Sequence, residues 1–344
     1  MAHYKLALLG FGNVGRAFAR LLIHKRVHLE RNYDLTYTVT AIATRSRGSL
    51  IDLNGVDLNE ALECGETGKS LADLSVNPVS NDMVRFIEEC NADVLFENTP
   101  VDYKSGRPAV DHIRMALENG MHVITANKGP VVHAYEELTR MARSKLKRFL
   151  FESTVMDGAP IFSLFREALP GAEVQSFTGV LNSTTNLILT RMESGETFDD
   201  AVKYAQEMGI AETDPSGDID GWDAAIKVAA LVTVLMNYPM KPHQVEREGI
   251  RGVTSRDLES ILRSGKRLKL VCSANRIDDH VQASVSPQMV PPSSPLYTVD
   301  GTSSILEFET DVLGKLSIVE TDPGPDTTAY GLLADFLNVI RSEN

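Results

Sequence analysis

The run Gly10-Phe11-Gly12-Asn13-Val14-Gly15 is the feature that most limits the folds open to this 344-residue chain. It follows a short apolar stretch, Tyr4 to Leu9, and opens a segment whose apolar residues have helical spacing. Between a strand and a helix, the first Gly permits a tight turn and the second lets a pyrophosphate approach the backbone. The third lets the helix pack on the strand. We therefore expect a dinucleotide-binding unit, with a ligand-free glycine turn as the alternative.

The end of the next predicted strand, Leu35 to Thr44, indicates which nucleotide this unit binds. An NAD-specific site places an Asp or Glu there for the ribose 2′-OH. This chain has Arg45 and Arg47 instead, and two guanidinium groups suit a 2′-phosphate. The pattern favours NADP over NAD, and a solvated basic turn is the competing interpretation.

Two further strand ends carry polar residues. Asn98, Thr99 and Pro100 follow the predicted strand Asp93 to Glu97, and Lys128 follows the one at Met121 to Thr125. Ligands of open α/β sheets bind at the carboxyl ends of the strands. We therefore expect these residues near the cofactor. The long segment 48–80 is rich in Gly, Asn and Ser and is predicted to be irregular, with one weak helix.

The change of pattern after Glu152 predicts two domains. Strict alternation of strands and helices gives way to runs of each, which is typical of an α+β domain with an antiparallel or mixed sheet. We expect a Rossmann-type, doubly wound parallel sheet over residues 1–152, completed by 322–344. The α+β domain spans 153–321.

Composition excludes several classes of partner. Lys plus Arg total 34 against 47 for Asp plus Glu, a net charge of -13, so nucleic acid and anionic membranes are unsuitable partners. No apolar run approaches the ~20 residues that span a bilayer. The three cysteines are widely spaced and lack a CxxC pair, which predicts reduced thiols, no zinc site and a cytoplasmic protein.

The stretch Gly209 to Leu235 joins an acidic loop to an apolar helix. Asp220 is a good N-cap, with Asp223 three residues later, so we expect the helix to begin near Gly221. A calcium site fits the acids poorly, because no register gives the order of an EF-hand loop.

Lys227 is the anomaly of that helix. From Ala224 to Leu235 it is, with Thr233, one of the two residues that are not apolar, and a lysine is rarely buried unless it is paired. Asp223 lies four residues earlier on the same face. We expect a functional pair at a pocket, and the alternative is an ordinary surface ion pair.

Taken together, these residues resemble the homoserine dehydrogenase family. The resemblance covers nearly the whole chain and depends on separate motifs in a fixed order. They are GFGNVG at Gly10, NTP at Asn98, TANKGP at Thr125, FESTV at Phe151, GVLNSTTNLIL at Gly179, GIAETDPSGDIDGWDAAIK at Gly209 and TAYGLLADF at Thr328. The activity implied is NAD(P)-dependent interconversion of L-aspartate 4-semialdehyde and L-homoserine, a step in threonine, methionine and isoleucine biosynthesis.

The resemblance also implies roles for individual residues. Lys227 would be the acid/base residue, with Lys128 and Asp223 also at the active site. Glu212 and Asp223 would bind the amino acid substrate with support from Asp218. Further implied contacts to the cofactor come from Gly209 and Gly324.

A cation site and an oligomeric state follow from the same resemblance. A sodium ion or another monovalent cation would be held by Glu152 and by the backbone carbonyls of Val155, Asp157 and Ala159. The second domain would form a homodimer through its sheet. Because the sequence stops soon after the last predicted helix, no regulatory amino-acid-binding domain is expected.

Two departures from the family pattern keep alternatives open. Ser183 stands where the family usually has Gly, and 156–160 reads MDGAP where the family is rich in Gly and Ala. A sister dehydrogenase acting on a different small amino alcohol or aldehyde is one alternative. A non-catalytic nucleotide-binding sensor is another, against which the presence of both Lys128 and Lys227 argues.

Overall fold

The structure is a computed structural model that describes residues 1–75 and 82–341. The chain forms two compact units, Met1–Pro160 with Gly324–Asn344, and Ile161–Pro323. Residues 76–81, near the end of the segment predicted to be irregular, lie outside the described residues, as do 342–344 at the end of the predicted C-terminal segment. None of the described helices combines the length and apolar character that a bilayer crossing requires.

The first unit contains a six-stranded sheet and the helices that connect its strands. Its N-terminal elements are β1 (Ala2–Leu9), α1 (Asn13–Tyr33), β2 (Leu35–Ala43), β3 (Ser49–Ile51), α2 (Leu58–Thr67), α3 (Met83–Glu89), β4 (Val94–Glu97), α4 (Ala109–Glu118), β5 (His122–Thr125), α5 (Lys128–Ser144) and β6 (Phe149–Leu150). The strands are ordered β3-β2-β1-β4-β5-β6, and every neighbouring pair is parallel except β2 with β3.

This order confirms the predicted Rossmann-type sheet. The winding reverses between β1 and β4, which is where open α/β sheets bind ligands. The one helix predicted within 48–80 is confirmed as α2, whose first turn is capped by the Asp57 carboxylate. The prediction that the rest of the segment is irregular was wrong for β3, which pairs with β2.

The second unit contains a six-stranded mixed sheet. Its elements are β7 (Val174–Val180), α6 (Ser183–Glu193), α7 (Phe198–Glu207), α8 (Ser216–Ile219), α9 (Trp222–Leu235), β8 (Glu246–Arg247), α10 (Ser255–Arg263), β9 (Arg267–Ile277), β10 (His280–Val290), β11 (Ser304–Thr310) and β12 (Gly314–Glu320). The strands are ordered β12-β11-β7-β9-β10-β8. β8 is parallel to β10 and the other neighbours are antiparallel, so the α+β fold with a mixed sheet is confirmed.

The last helix, α11 (Pro325–Arg341), belongs to the first unit. It packs along α1, and the Phe336 ring makes edge contacts with the rings of Tyr4 and Phe96 at centroid distances of 5.7 and 6.0 Å. These aromatic contacts are formed by residues with little solvent exposure, so they tie the end of the chain to the core of the nucleotide-binding sheet.

The predicted start of α9 near Gly221 is confirmed, but the predicted cap by Asp220 was wrong. The helix begins at Trp222, and the residue before it, Gly221, has φ +78° and provides no side-chain cap. Asp220 instead ends α8, and its carboxylate accepts hydrogen bonds from Arg251 at 2.8 and 3.1 Å. A tertiary ion pair therefore replaces the local cap that the sequence favours.

Candidate active site

Lys227 lies in the middle of α9 with its ammonium group largely withdrawn from solvent. Nζ donates to the Leu181 carbonyl at 2.6 Å and lies 3.2 Å from Oδ2 of Asp223. The side chains of Lys227 and Asp223 are only 13% and 12% exposed. Because so little water screens the two charges, this is not the solvated surface pair considered as an alternative.

Asn182 holds two carboxylates beside this lysine. Its Nδ2 donates to Oδ1 of Asp218 at 2.6 Å and to Oδ2 of Asp223 at 3.0 Å. Its Oδ1 accepts from the Thr185 N–H at 2.8 Å and so caps α6. The residue thereby joins the starts of α6 and α9 to α8.

The neighbouring groups of the cluster affect the pKa of Asp218. Burial and the neighbouring Asp223 carboxylate raise the pKa of Asp218, while the hydrogen bonds from Asn182 and Thr184 and the Lys227 ammonium oppose the rise. Two carboxylates that share so little water repel one another. A second cation, such as a substrate ammonium group, would relieve that repulsion.

Cys272 of β9 lies near this cluster, and the charges of Lys227 and Asp223 act on its thiol. Burial raises the pKa of its thiol to about 12, so the thiol stays neutral and unreactive at neutral pH. All three cysteines are free and buried.

Other predicted residues of this unit lie outside the cluster. Glu212 is in the loop between α7 and α8 with an exposed side chain, and its backbone carbonyl accepts from the Gln206 amide at 3.2 Å. Gly209 lies just after the end of α7 and has φ +70°. The structure thus brings together Asp218, Asp223 and Lys227, and it does not bring the Glu212 carboxylate to them.

In the first unit, the three glycines of the first motif have different surroundings. Gly10 has φ +97°, and a Cβ there would lie 2.5 Å from the carbonyl carbon and oxygen of Asn98. At Gly15, a Cβ would lie 2.3 Å from the Gly10 carbonyl oxygen. At Gly12, which precedes α1, a Cβ would meet nothing within 4 Å. The protein packing therefore demands glycine at positions 10 and 15, whereas position 12 is open to a ligand.

Asn98 supplies polar atoms at the carboxyl end of β4. Its side-chain Nδ2 and Oδ1 are both buried and make no hydrogen bond within the described protein. Buried amide groups without partners are costly. Together with the open position at Gly12 and the helix start beyond it, this orphaned amide fits a bound dinucleotide.

Glu97 organises the loop that carries Asn98 and was missed by the sequence analysis. It is fully buried, and its carboxylate accepts from the Thr99 N–H at 3.3 Å and from the Thr99 hydroxyl. The Thr125 hydroxyl donates to its backbone carbonyl at 2.7 Å. Asn127 donates to the Thr99 carbonyl at 2.9 Å and caps α5. This network fixes Thr99 and Pro100 next to the start of α5, where Lys128 is half-buried.

The two predicted 2′-phosphate ligands differ in their contacts. Arg45 is exposed in the turn between β2 and β3. Arg47 is half-buried, and its guanidinium donates to the Gly65 carbonyl of α2. Arg45 is therefore the more accessible of the two guanidinium groups.

The predicted cation ligands lie within residues 152–159 of the first unit. Glu152 is 2% exposed, Val155 and Ala159 are buried, and Asp157 has φ +44°. The Asp157 carboxylate accepts from the Thr328 hydroxyl of α11. Gly324, predicted to touch the cofactor, donates its N–H to the Thr327 hydroxyl at 2.9 Å. Among the described residues, no group of three or more His, Cys, Asp or Glu side chains could hold a metal ion.

Two family profiles and several relatives match most of the chain. The family profile described as homoserine dehydrogenase matches residues 160–337, and the one described as homoserine dehydrogenase, NAD binding domain, matches residues 10–152. The NAD(+)-dependent homoserine dehydrogenase of Pseudomonas canavaninivorans is 33% identical over 99% of this chain and 97% of its own length. A homoserine dehydrogenase of Methanocaldococcus jannaschii is 37% identical over 98% of both chains.

Solved structures give the same result. A hyperthermophilic archaeal homoserine dehydrogenase in complex with NADPH has a TM-score of 0.82 and 32% identity, over 99% of this chain and 98% of its own. A homoserine dehydrogenase from Thiobacillus denitrificans has a TM-score of 0.83 and 29% identity, over 100% of this chain and 74% of its own.

Proposed function

The chain belongs to the homoserine dehydrogenase family of NAD(P)-dependent oxidoreductases, and we propose that Lys227 transfers the proton as L-aspartate 4-semialdehyde and L-homoserine are interconverted. The observation that carries this proposal is the desolvated ammonium group beside Asp223, with Asn182 joining Asp223 to Asp218. The reaction is a step of threonine and methionine biosynthesis. Membership of the family favours this activity over the sensor and over the sister dehydrogenase, which only the departures at Ser183 and 156–160 favour.

The residues of the first unit would hold the cofactor. A bound nicotinamide supplies or accepts the hydride. The open backbone at Gly12 and the start of α1 suit the pyrophosphate, and the orphaned Asn98 amide suits a polar group of the nucleotide. Lys128 at the start of α5 is the proposed second lysine of the site.

Lys227 would act on the substrate oxygen. Reduction of the aldehyde builds negative charge on that oxygen, and a nearby ammonium both stabilises the charge and donates the proton. In the oxidation of the alcohol, neutral Lys227 would take the hydroxyl proton. The Leu181 carbonyl and Asp223 fix the position of Nζ for both directions.

The carboxylates would bind the substrate's α-ammonium group. Asp218 and Asp223 are held on one side of Asn182, so a cation between them would meet two acceptors. Glu212 is the proposed third carboxylate, which would reach the substrate from its exposed loop.

A substrate panel tests the function as a whole. Purified protein with NADP⁺ and homoserine at alkaline pH should produce NADPH absorbance, with serine and threonine as comparison substrates. Turnover of another amino alcohol in preference to homoserine would contradict the proposed substrate.

We further propose that Arg45 reads the 2′-phosphate of NADP. Arg45→Ala should raise the KM for NADP⁺ by about 10-fold or more, because a charged hydrogen bond is lost, and should leave the KM for NAD⁺ unchanged. Arg47→Ala should have the smaller effect, because its guanidinium is bound to Gly65. The exposed Arg85 of α3 offers a matched control. Equal losses with both nucleotides would remove the arginines from cofactor selection.

Glu152 and the carbonyls of Val155, Asp157 and Ala159 are our proposed ligands for a monovalent cation. A ligand that binds the native state raises the unfolding midpoint. Sodium chloride should therefore raise the midpoint above that in tetramethylammonium chloride of equal ionic strength, and Glu152→Gln should abolish the difference. Equal midpoints for the unmodified chain in the two salts would show that no such site exists.

A homodimer through the sheet of the second unit is also proposed. β12 is an edge strand of that sheet, and edge strands offer unpaired backbone groups to a partner. Val312, Leu313 and Val319 on and beside it are 68%, 54% and 57% exposed. Light scattering should give a dimer for the natural chain and a monomer for Val319→Lys. A monomeric natural chain would contradict the proposal.

A further inference from the structure

The turn between α8 and α9, residues 219–221, joins the two carboxylates that Asn182 bridges. Asp218 precedes this turn and Asp223 follows it, so its conformation sets their separation. Gly221 has φ +78° and no side chain caps α9. Because the usual N-cap is absent, the direction in which α9 starts depends on contacts from another part of the chain.

Arg247 makes the first of these contacts. Its guanidinium donates to the Asp220 carbonyl and lies over the Trp222 ring, 3.8 Å from the ring centroid. A Cβ at Gly221 would lie only 3.3 Å from Cγ of Arg247, so the stem of the side chain packs against the turn. Arg247 thus contacts the Asp220 backbone and Gly221 within the turn, and also the ring of Trp222 at the start of α9.

The residues after Arg247 add backbone contacts. The Ile250 N–H donates to the Ile219 carbonyl at 2.8 Å. A Cβ at Gly249 would lie 2.2 Å from the Ile219 carbonyl oxygen, so the approach of the two segments requires glycine. Arg251 binds the Asp220 carboxylate, although its side chain is 61% exposed.

This segment is anchored to the sheet. Arg247 is part of β8, where it is paired with Val285 of β10, and the Glu248 N–H donates to the Val285 carbonyl at 2.8 Å. The contacts form a continuous connection from the sheet through Arg247 to the turn between α8 and α9.

We infer that Arg247 is a positioning residue for the reaction: it holds residues 219–221 against β8 and thereby fixes the carboxylates of Asp218 and Asp223 at the separation that a substrate ammonium group requires. The inference rests on the proposed function, in which these carboxylates bind the substrate. It assigns Arg247 no contact with the substrate.

The test compares Arg247→Met with Arg251→Met. Arg247→Met should lower kcat/KM for homoserine by about 10²-fold, mostly through KM, because small displacements of binding groups have effects of this size. The KM for the nicotinamide nucleotide should not change. Arg251→Met, which loses an exposed ion pair, should change kcat/KM by at most about fivefold. Homoserine kinetics of Arg247→Met equal to those of the natural chain would overturn the inference.

Two readouts do not depend on activity. In Arg247→Met, amide hydrogen exchange of a peptide covering 216–226 should be faster by about 10-fold or more, while Arg251→Met should match the natural chain. Trp222 is the single tryptophan, so its fluorescence should change when the guanidinium is removed. Unchanged exchange would overturn the inference.

Failure of the proposed function gives a different pattern. The natural chain would then lack homoserine turnover, whereas the exchange of 216–226 would still decide whether Arg247 holds the turn. If Arg247→Met unfolds, Arg247→Lys replaces it, with an intermediate rise in exchange expected because lysine keeps the charge but not the planar fork. Exchange in Arg247→Lys equal to that of the natural chain would then count against the inference.

Discussion

Replacing Lys227 with Met is expected to lower kcat for homoserine oxidation by about 10²-fold or more, the usual size of a general acid/base contribution. The substitution removes the ammonium group that donates to the Leu181 carbonyl and lies beside the Asp223 carboxylate. Nucleotide affinity should stay unchanged, because the proposed cofactor residues other than Gly209 lie in the first unit and Gly209 lies outside the Lys227 cluster. Steady-state kinetics with a separate nucleotide titration measure both quantities.

The matched control for Lys227→Met is Lys203→Met. Lys203 lies on α7 in the same unit with a side chain that is 74% exposed, so its loss should leave kcat unchanged. Because removal of one partner from a buried ion pair destabilises a protein by ~3–5 kcal/mol, circular dichroism must show that the Lys227 variant is folded at the assay temperature. A folded variant with full turnover would remove Lys227 from the mechanism.

Substitutions at two glycines of the first motif should affect different properties, Gly12→Ala the binding of the cofactor and Gly10→Ala the free energy of unfolding. We expect Gly12→Ala to weaken nucleotide binding by about 10–100-fold, as overpacking of ~1–3 kcal/mol would, because the added methyl occupies space that only a ligand would otherwise fill. Its free energy of unfolding should change by less than about 1 kcal/mol. Nucleotide titration and urea unfolding measure the two effects.

Gly10→Ala is the comparison for Gly12→Ala. It forces an alanine into φ +97° and against the Asn98 backbone, so the free energy of unfolding should fall by about 1–3 kcal/mol or more. If Gly12→Ala bound the nucleotide as tightly as the natural chain does, the pyrophosphate would not approach the backbone at this position.

The Rossmann-type sheet could be predicted because its signals are local. The motif from Gly10 to Gly15 needs only a strand before it and a helix after it, and both are visible as apolar patterns. The burial of α9 was also predictable from its apolar composition. Its N-terminal cap was not, because the Asp220 carboxylate is bound by Arg251, 31 residues later, which is a contact that no local cap rule contains.

The site was predictable where partners lie on one element. Asp223 and Lys227 are four residues apart on a helix, so their contact follows from helical geometry. Asn182 and Asp223 are 41 residues apart, and their contact exists only after α6 and α9 have packed. Glu97 was missed for a related reason, since its buried carboxylate accepts hydrogen bonds from the Thr99 loop and from the Thr125 hydroxyl at the neighbouring strand end.

The comparison of homoserine with 4-hydroxybutanoate, the same alcohol without the α-amino group, tests the central claim most directly. If Asp218 and Asp223 bind an ammonium group while Lys227 takes the hydroxyl proton, the analogue brings no cation to the two buried carboxylates. The natural chain should then prefer homoserine by about 10⁴-fold in kcat/KM, as expected for a site built around a polar group that the analogue lacks. Similar values of kcat/KM for the two alcohols would contradict the account.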